Sequence, residues 1–240
     1  MLLAVLGVTL PGFAIGAIVM ALSGRHAVPD VMAQRWLKFG VFFVIVHVVL
    51  GIAALGGAWV AALLAVIVGA GGFELWTAWR QMTNPKPRAL WPVYLLMVVI
   101  VLCVSTRIPP ATFAFVFLVT AASDGFSQVL GELFGRRKLA PRISPAKTVE
   151  GMVGGILAGV GVALLVRRLL LDWTISDTAG LALVVALTGL AGDLAASWVK
   201  RRAHLKDFSN ALPGQGGFLD RFDSLLGAMT LVGPTLVLTS

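Results

Sequence analysis

The sequence predicts an all-α, polytopic integral membrane protein of about eight transmembrane helices, and three observations lead there. Of its 240 residues, 58% are hydrophobic and only 12% carry charge. The mean hydropathy is +0.94, a balance that water-soluble globules do not show. The apolar residues form long unbroken runs, not the alternating segments of about ten residues that build a transmembrane barrel. One crossing takes about 20 residues, so short connections leave no room for a separate extramembrane catalytic domain. The single cysteine, Cys103, sits in an apolar run and excludes an intramolecular disulfide or a multi-cysteine metal site. Residues 1–240 therefore read as one membrane domain, with N-terminal helices over 1–123 and a half bearing the polar motifs over 124–240.

In chain order, the apolar runs bounded by charge or turn residues are 2–22, 36–53, 58–79, 90–106, 109–130, 149–170, 178–199 and 222–239. The first has no basic leader and is long for the apolar core of a signal peptide, so it reads as a retained helix. Trp36, Trp76, Trp79 and Trp91 lie near run ends, where amphipathic rings anchor helices at the interface. Asn84–Pro87 reads as an ordinary turn. The first, third, fifth and seventh connections hold 16 of the 19 lysines and arginines, whereas Arg107, Arg167 and Arg168 fall in the alternate ones. The positive-inside rule then places the four basic connections in the cytoplasm and both termini outside. The formal charge of +8 is accounted for by topology and contact with anionic lipid, and no nucleic-acid partner is expected.

Two stretches interrupt the apolar pattern. In the first, Asp124 to Gly151, Ser144 followed by Pro145 predicts a helix start, because serine caps free amides and proline tolerates the first helical position. Lys147 and Thr148 would then lie in a first turn suited to a phosphate, through backbone N–H groups, helix dipole and ammonium. The alternative is an ordinary capped helix with a topogenic lysine. In the second stretch, Gly192 to Ser224, helical spacing puts Asp193, Ser197, Lys200 and Arg201 on one face. Pro213-Gly214-Gln215-Gly216-Gly217 cannot sustain a helix and reads as a ligand loop that offers bare backbone amides. Asp220 and Asp223, three apart, share a helix face at a spacing that suits a divalent cation. An aspartate within a span is penalised by about 2.5–3.5 kcal/mol, so Asp124, Asp193 and Asp223 should have partners, either interfacial ion pairs or a metal. Magnesium fits hard oxygen ligands, whereas His26, His47 and His204 form no cluster. Glu74 reads equally as an ion-pair partner or a site residue.

Ser197-x-x-Lys200-Arg201, Lys206-Asp207, Pro213-Gly-x-Gly-Gly217 and Asp220-Arg221-x-Asp223 together resemble the signature of the phosphatidate cytidylyltransferases, or CDP-diacylglycerol synthases. Ser144-Pro-Ala-Lys147-Thr-Val-Glu150-Gly151 is similar to a second motif of that family, in the same order. The resemblance covers about 124–224 and implies an enzyme of the bacterial inner membrane with its site facing the cytoplasm. That enzyme joins CTP to phosphatidic acid and releases pyrophosphate. Carried over to this sequence, it implies catalytic roles for Lys147, Lys200, Arg201, Lys206, Asp207 and Arg221. Substrate binding falls to Ser144, Thr148, Ser197, Gly214, Gln215, Gly216 and Gly217, and Mg2+, with or without a monovalent cation, to Asp193, Asp220, Asp223 and Asp124. Two positions depart from the family pattern: Gln215 replaces its usual histidine and Ala196 its common glutamate. Activation of a different lipid phosphate, or a non-catalytic lipid- or nucleotide-binding relative, are the alternatives, and a homodimer is an open assembly. A transporter would need interrupted spans in corresponding halves, and none is evident.

Overall fold

The computed structural model describes residues 2–23, 29–82 and 86–238. Its helices follow the apolar runs: α1 (Leu2–Ser23), α2 (Pro29–Leu55), α3 (Gly57–Gln81), α4 (Leu90–Ser105), α5 (Pro110–Phe134), α6 (Val149–Leu170), α7 (Ile175–Arg202), α8 (Phe218–Leu231) and α9 (Gly233–Leu238). Five stretches, Asp30–Leu55, Gly57–Gln81, Pro110–Phe134, Val149–Leu170 and Ile175–Arg202, are long and apolar enough to cross a membrane, and Val5–Ile18 and Leu90–Ser105 are shorter apolar helices. The last predicted span is divided, with α8 stopping at Leu231 and α9 resuming at Gly233. Arg25, one of the basic residues of the first connection, His26, and Asn84 of the expected turn lie outside the described residues.

Large apolar side chains such as Phe73, Leu96, Leu157 and Leu165 are exposed on the outside of the bundle. In water this would be a liability, but lipid tails make it the expected surface, because backbone groups are satisfied inside each helix and side chains need only be apolar. The bundle closes around α5, in which every residue from Thr112 to Ala121 is buried. A turn of one residue, Gly56, joins α2 to α3 at φ 117°, a conformation open to glycine and closed to most side chains. His47 ties α1 to α2, its ring nitrogens lying 3.3 Å from Thr9 Oγ1 and 2.8 Å from the Phe43 carbonyl. It is thus a packing residue away from the polar stretches.

Small residues set the two closest helix crossings. On α6, Gly151, Gly155 and Gly159 recur every four residues and face Ser123, Ser127 and Gly131 of α5. A Cβ at Gly155 would lie 2.4 Å from the Ser123 carbonyl oxygen and 2.7 Å from Ser127 Cβ. Between α7 and α8, a Cβ at Gly192 would meet the Asp223 carbonyl oxygen at 2.4 Å and Gly227 Cα at 2.9 Å. Backbones approach this closely because lipid supplies little hydrophobic drive between helices, leaving close packing to hold them. The sequence neighbours of these contact points are Asp124, Asp193 and Asp223, so the same crossings that hold the bundle draw three aspartates inward.

The predicted helix start at Ser144 is corrected by the structure. Ser144–Thr148 is a strand, β2, paired antiparallel with β1 (Lys138–Ala140), with Lys138 opposite Thr148 and Ala140 opposite Ser144. Pro141 begins the turn between them, closed by Ile143 N–H donating to the Ala140 carbonyl at 3.1 Å. Helix α6 starts five residues later than Ser144, and Thr148 is its cap, Oγ1 accepting from Gly151 N at 3.1 Å. Glu150 accepts from the Arg136 and Arg137 amides at 3.0 and 3.1 Å and fastens β1 to the head of α6.

Replacing Gly155 with leucine should push α6 off α5 and destabilise the protein by about 1–3 kcal/mol, read as a lowered melting temperature in lipid or detergent. Gly161 has nothing within 4 Å of an added Cβ, so Gly161→Ala in the same helix should be neutral or stabilising by up to about 1 kcal/mol.

Candidate functional site

Helix α8 begins with free backbone N–H groups and a glycine, Gly217, at the cap position, so its capping oxygens must come from elsewhere. They come from two carboxylates. Asp220 Oδ2 accepts from Gly217 N at 2.9 Å and from Phe208 N at 2.7 Å, while its Oδ1 accepts from Lys200 Nζ of α7 at 2.6 Å. Glu74, 4% exposed in α3, accepts from Phe218 N and Leu219 N at 3.0 and 2.7 Å and from the Ser209 hydroxyl at 2.6 Å. The preceding loop folds on itself: Gln215 N donates to the Leu212 carbonyl at 2.9 Å, with Pro213 and Gly214 (φ 71°) at the turn centre. Proline first and a positive-φ glycine second is the composition of a type II turn. Gln215 Nε2 donates to the Lys38 carbonyl of α2 at 2.8 Å.

One turn further along α8, Asp223 is buried. Its Oδ1 accepts from Ser224 N at 2.7 Å, while Ser224 Oγ donates to Asp124 Oδ1 of α5 at 3.0 Å. A single serine thus bridges two carboxylates from different helices, and the second oxygen of each has no hydrogen-bond partner among the described residues. Three cations gather around them. Lys147, at the end of β2, pairs with Asp193 of α7 and also feels the charges of Asp124 and Asp223. Arg221 lies in the field of the same two aspartates, its guanidinium 4.5 Å from the centre of the Phe42 ring of α2. Lys200, held by Asp220, adds its charge to the group. Burial pushes the Lys147 ammonium below the ordinary lysine range, and the Asp124 and Asp223 carboxylates oppose that shift.

The arrangement is therefore a cluster of acidic and basic side chains brought together by α5, β2, α7 and α8. Residues 110–238 match the cytidylyltransferase family, and this segment holds the whole cluster. The chain belongs to that family. It is 41% identical over 125 residues to a phosphatidate cytidylyltransferase of Staphylococcus saprophyticus, covering 51% of this chain and 48% of the relative. Over 124 residues it is 42% identical to one of Brucella abortus, covering 50% and 45%, and over 120 residues 37% identical to one of Haemophilus influenzae, covering 48% and 42%. The chain spans about half the length of the known relatives it matches.

Within this cytidylyltransferase cluster the structure collects Asp124, Lys147, Asp193, Lys200, Arg221 and Asp223, and separates others. Ser197 is buried beside Asp193, with Oγ 3.4 Å from its Oδ1. Arg201, expected on the same stripe, turns outward and donates to the Ile143 and Leu205 carbonyls, both at 3.1 Å, tying the β-hairpin to the end of α7. Lys206 and Asp207 are exposed on the connection that follows. Ser144 pairs in the hairpin and Thr148 caps α6. Of the glycine loop, Gly217 has its amide taken by Asp220, Gly214 packs near Lys38, and Gly216 (φ 84°) bridges back to Leu212. Glu74 forms no ion pair among the described residues; its carboxylate caps α8. Ser224 and Phe42 carried no sequence signal, since a serine after an aspartate and a phenylalanine in an apolar run are ordinary. Among the described residues no three His, Cys, Asp or Glu residues come together as a metal-binding group, so a cation here would rest on two carboxylates and its substrate.

Asp220→Ala removes the partner of a buried ammonium together with the oxygen that accepts from two backbone amides, so it should cost about 3–5 kcal/mol of stability, measured by thermal unfolding. Gln215→Ala loses one hydrogen bond and should cost about 1 kcal/mol in the same measurement.

Proposed function

We propose that this chain transfers a cytidylyl group from CTP to phosphatidic acid, giving CDP-diacylglycerol and pyrophosphate. The observation that carries the reading is the Asp124–Ser224–Asp223 bridge, ringed by Lys147, Lys200 and Arg221. Paired carboxylates with cations around them suit a reaction in which two anions must meet. The names of the relatives supply the substrate class.

In the reaction, a phosphate oxygen of the lipid attacks the α-phosphorus of CTP. The new O–P bond forms as the bond to the β-phosphate bridging oxygen breaks, and its electron pair leaves with pyrophosphate. The attacking oxygen is already ionised, so no strong general base is required. Positioning and charge stabilisation carry the rate. Lys147 and Arg221 neutralise phosphate oxygens at the cluster, and Lys200, braced by Asp220, holds its charge at a fixed point. Asp124 and Asp223 each keep one oxygen for a cation, and hard oxygen donors completed by substrate phosphates suit Mg2+. When bound, that ion supplies charge neutralisation on the triphosphate. The acyl chains lie among the helices and the headgroup enters from the cytoplasmic leaflet, the side to which the lysine and arginine distribution assigns the basic connections. Gln215, turned toward Lys38, ties down the loop and leaves no proton-transfer step to the position.

Purified protein in lipid, given CTP, Mg2+ and phosphatidic acid, should release pyrophosphate and form CDP-diacylglycerol in equal amounts. Absence of both products would refute the reading. Asp223→Asn and Asp124→Asn should each lower turnover by at least about 100-fold while the melting temperature changes little. A normal rate in either variant would remove that residue from the chemistry.

A further inference from the structure

We propose that Glu74 is a positioning residue for this site: by fixing the first turn of α8 from α3, it sets how Arg221 and Asp223 face Asp124. The inference rests on the functional reading above and concerns a residue outside the segment that matches the family, residues 110–238.

Glu74 is buried in an apolar helix, a placement that persists only with compensation. No lysine or arginine lies within ion-pair distance of it among the described residues. Its compensation consists of three donors: Oε1 accepts from Phe218 N and Ser209 Oγ, and Oε2 from Leu219 N. An anion against exposed helix amides gains from both hydrogen bonds and dipole, the same physics that binds phosphate at helix starts. Here the protein provides the anion itself. The fit is close enough to dictate a neighbour, because a Cβ at Gly217 would lie 2.3 Å from Glu74 Oε1. The last glycine of the Pro213–Gly217 loop thus admits the Glu74 carboxylate.

Leu219 precedes Asp223 by four residues, one helical turn, so any tilt or rotation at the Glu74 clamp passes directly to Arg221 and Asp223. Ser209 on the same carboxylate holds the connection between α7 and α8, which also carries Phe208, a ligand of Asp220. Glu74 therefore ties the middle of that connection and the first turn of α8 to α3, a helix that contributes nothing else polar to the cluster. Charge placed about 1 Å from its productive position loses most of its catalytic value, which gives the clamp a role beyond folding.

The test uses the full chain in lipid nanodiscs, comparing wild type with Glu74→Gln, Glu74→Asp and Glu74→Ala. Turnover is normalised to the folded fraction, and hydrogen exchange is followed over residues 217–224. Glu74→Gln keeps the shape but sets an NH2 group against an amide donor. Its kcat should fall about ten-fold or more with KM for CTP unchanged, and exchange at Phe218 and Leu219 should accelerate. Glu74→Asp should recover part of the loss. A folded Glu74→Gln protein with wild-type kcat, or a loss that only tracks the unfolded fraction, would overturn the proposal. If the wild type itself makes no CDP-lipid, the functional reading has failed instead. In that case exchange decides the clamp on its own, and unaltered exchange over 217–224 in Glu74→Gln would reject it.

Discussion

A carboxylate buried in an apolar bundle must be met by donors or cations, and the architecture at one end of this protein follows from that requirement. Five acidic side chains, Glu74, Asp124, Asp193, Asp220 and Asp223, are met there in three different ways. Glu74 and Asp220 are satisfied largely by backbone amides at the head of α8. Asp193 is matched by Lys147. Asp124 and Asp223 share Ser224 and are left with capacity for a positive charge. The first two hold the frame, and the last two are the pair on which the proposed chemistry rests.

The division explains why aspartates three apart in one motif do different work. Asp220 and Asp223 sit on the same short helix, yet Asp220 is at its first turn, where free amides and Lys200 consume both oxygens. Asp223 is one turn deeper, where α8 crosses α7 at Gly227 and Gly192 and approaches α5. Helical spacing places residues on a face. What that face meets depends on the helices packed against it.

The N-terminal helices are more than a wall. They contribute the Glu74 carboxylate, the Lys38 carbonyl that receives Gln215, and the Phe42 ring beneath Arg221. Each contact holds the loop or helix that carries the motif residues. The placement of the motif residues in the C-terminal half thus depends on residues whose own sequence context looks like ordinary membrane helix.

Composition and periodicity alone determined the membrane-embedded, helical character of the chain, the order of its apolar helices and the residues from which a charged cluster could be made. These are properties of hydrophobic run length and of the cost of burying charge, and both are local. The stretch at Ser144 shows where local signals end: serine followed by proline is a good helix start, but pairing with Lys138–Ala140 made it a strand and moved the helix to Val149. Arg201 left its expected stripe because the hairpin carbonyl of Ile143 lay within reach. Only the tertiary structure decided that Asp223 meets Asp124 through Ser224, that Lys147 meets Asp193, and that Glu74 caps a helix more than 140 residues away in sequence. Such pairings depend on which helices touch, and that is set by the glycine crossings of the folded bundle.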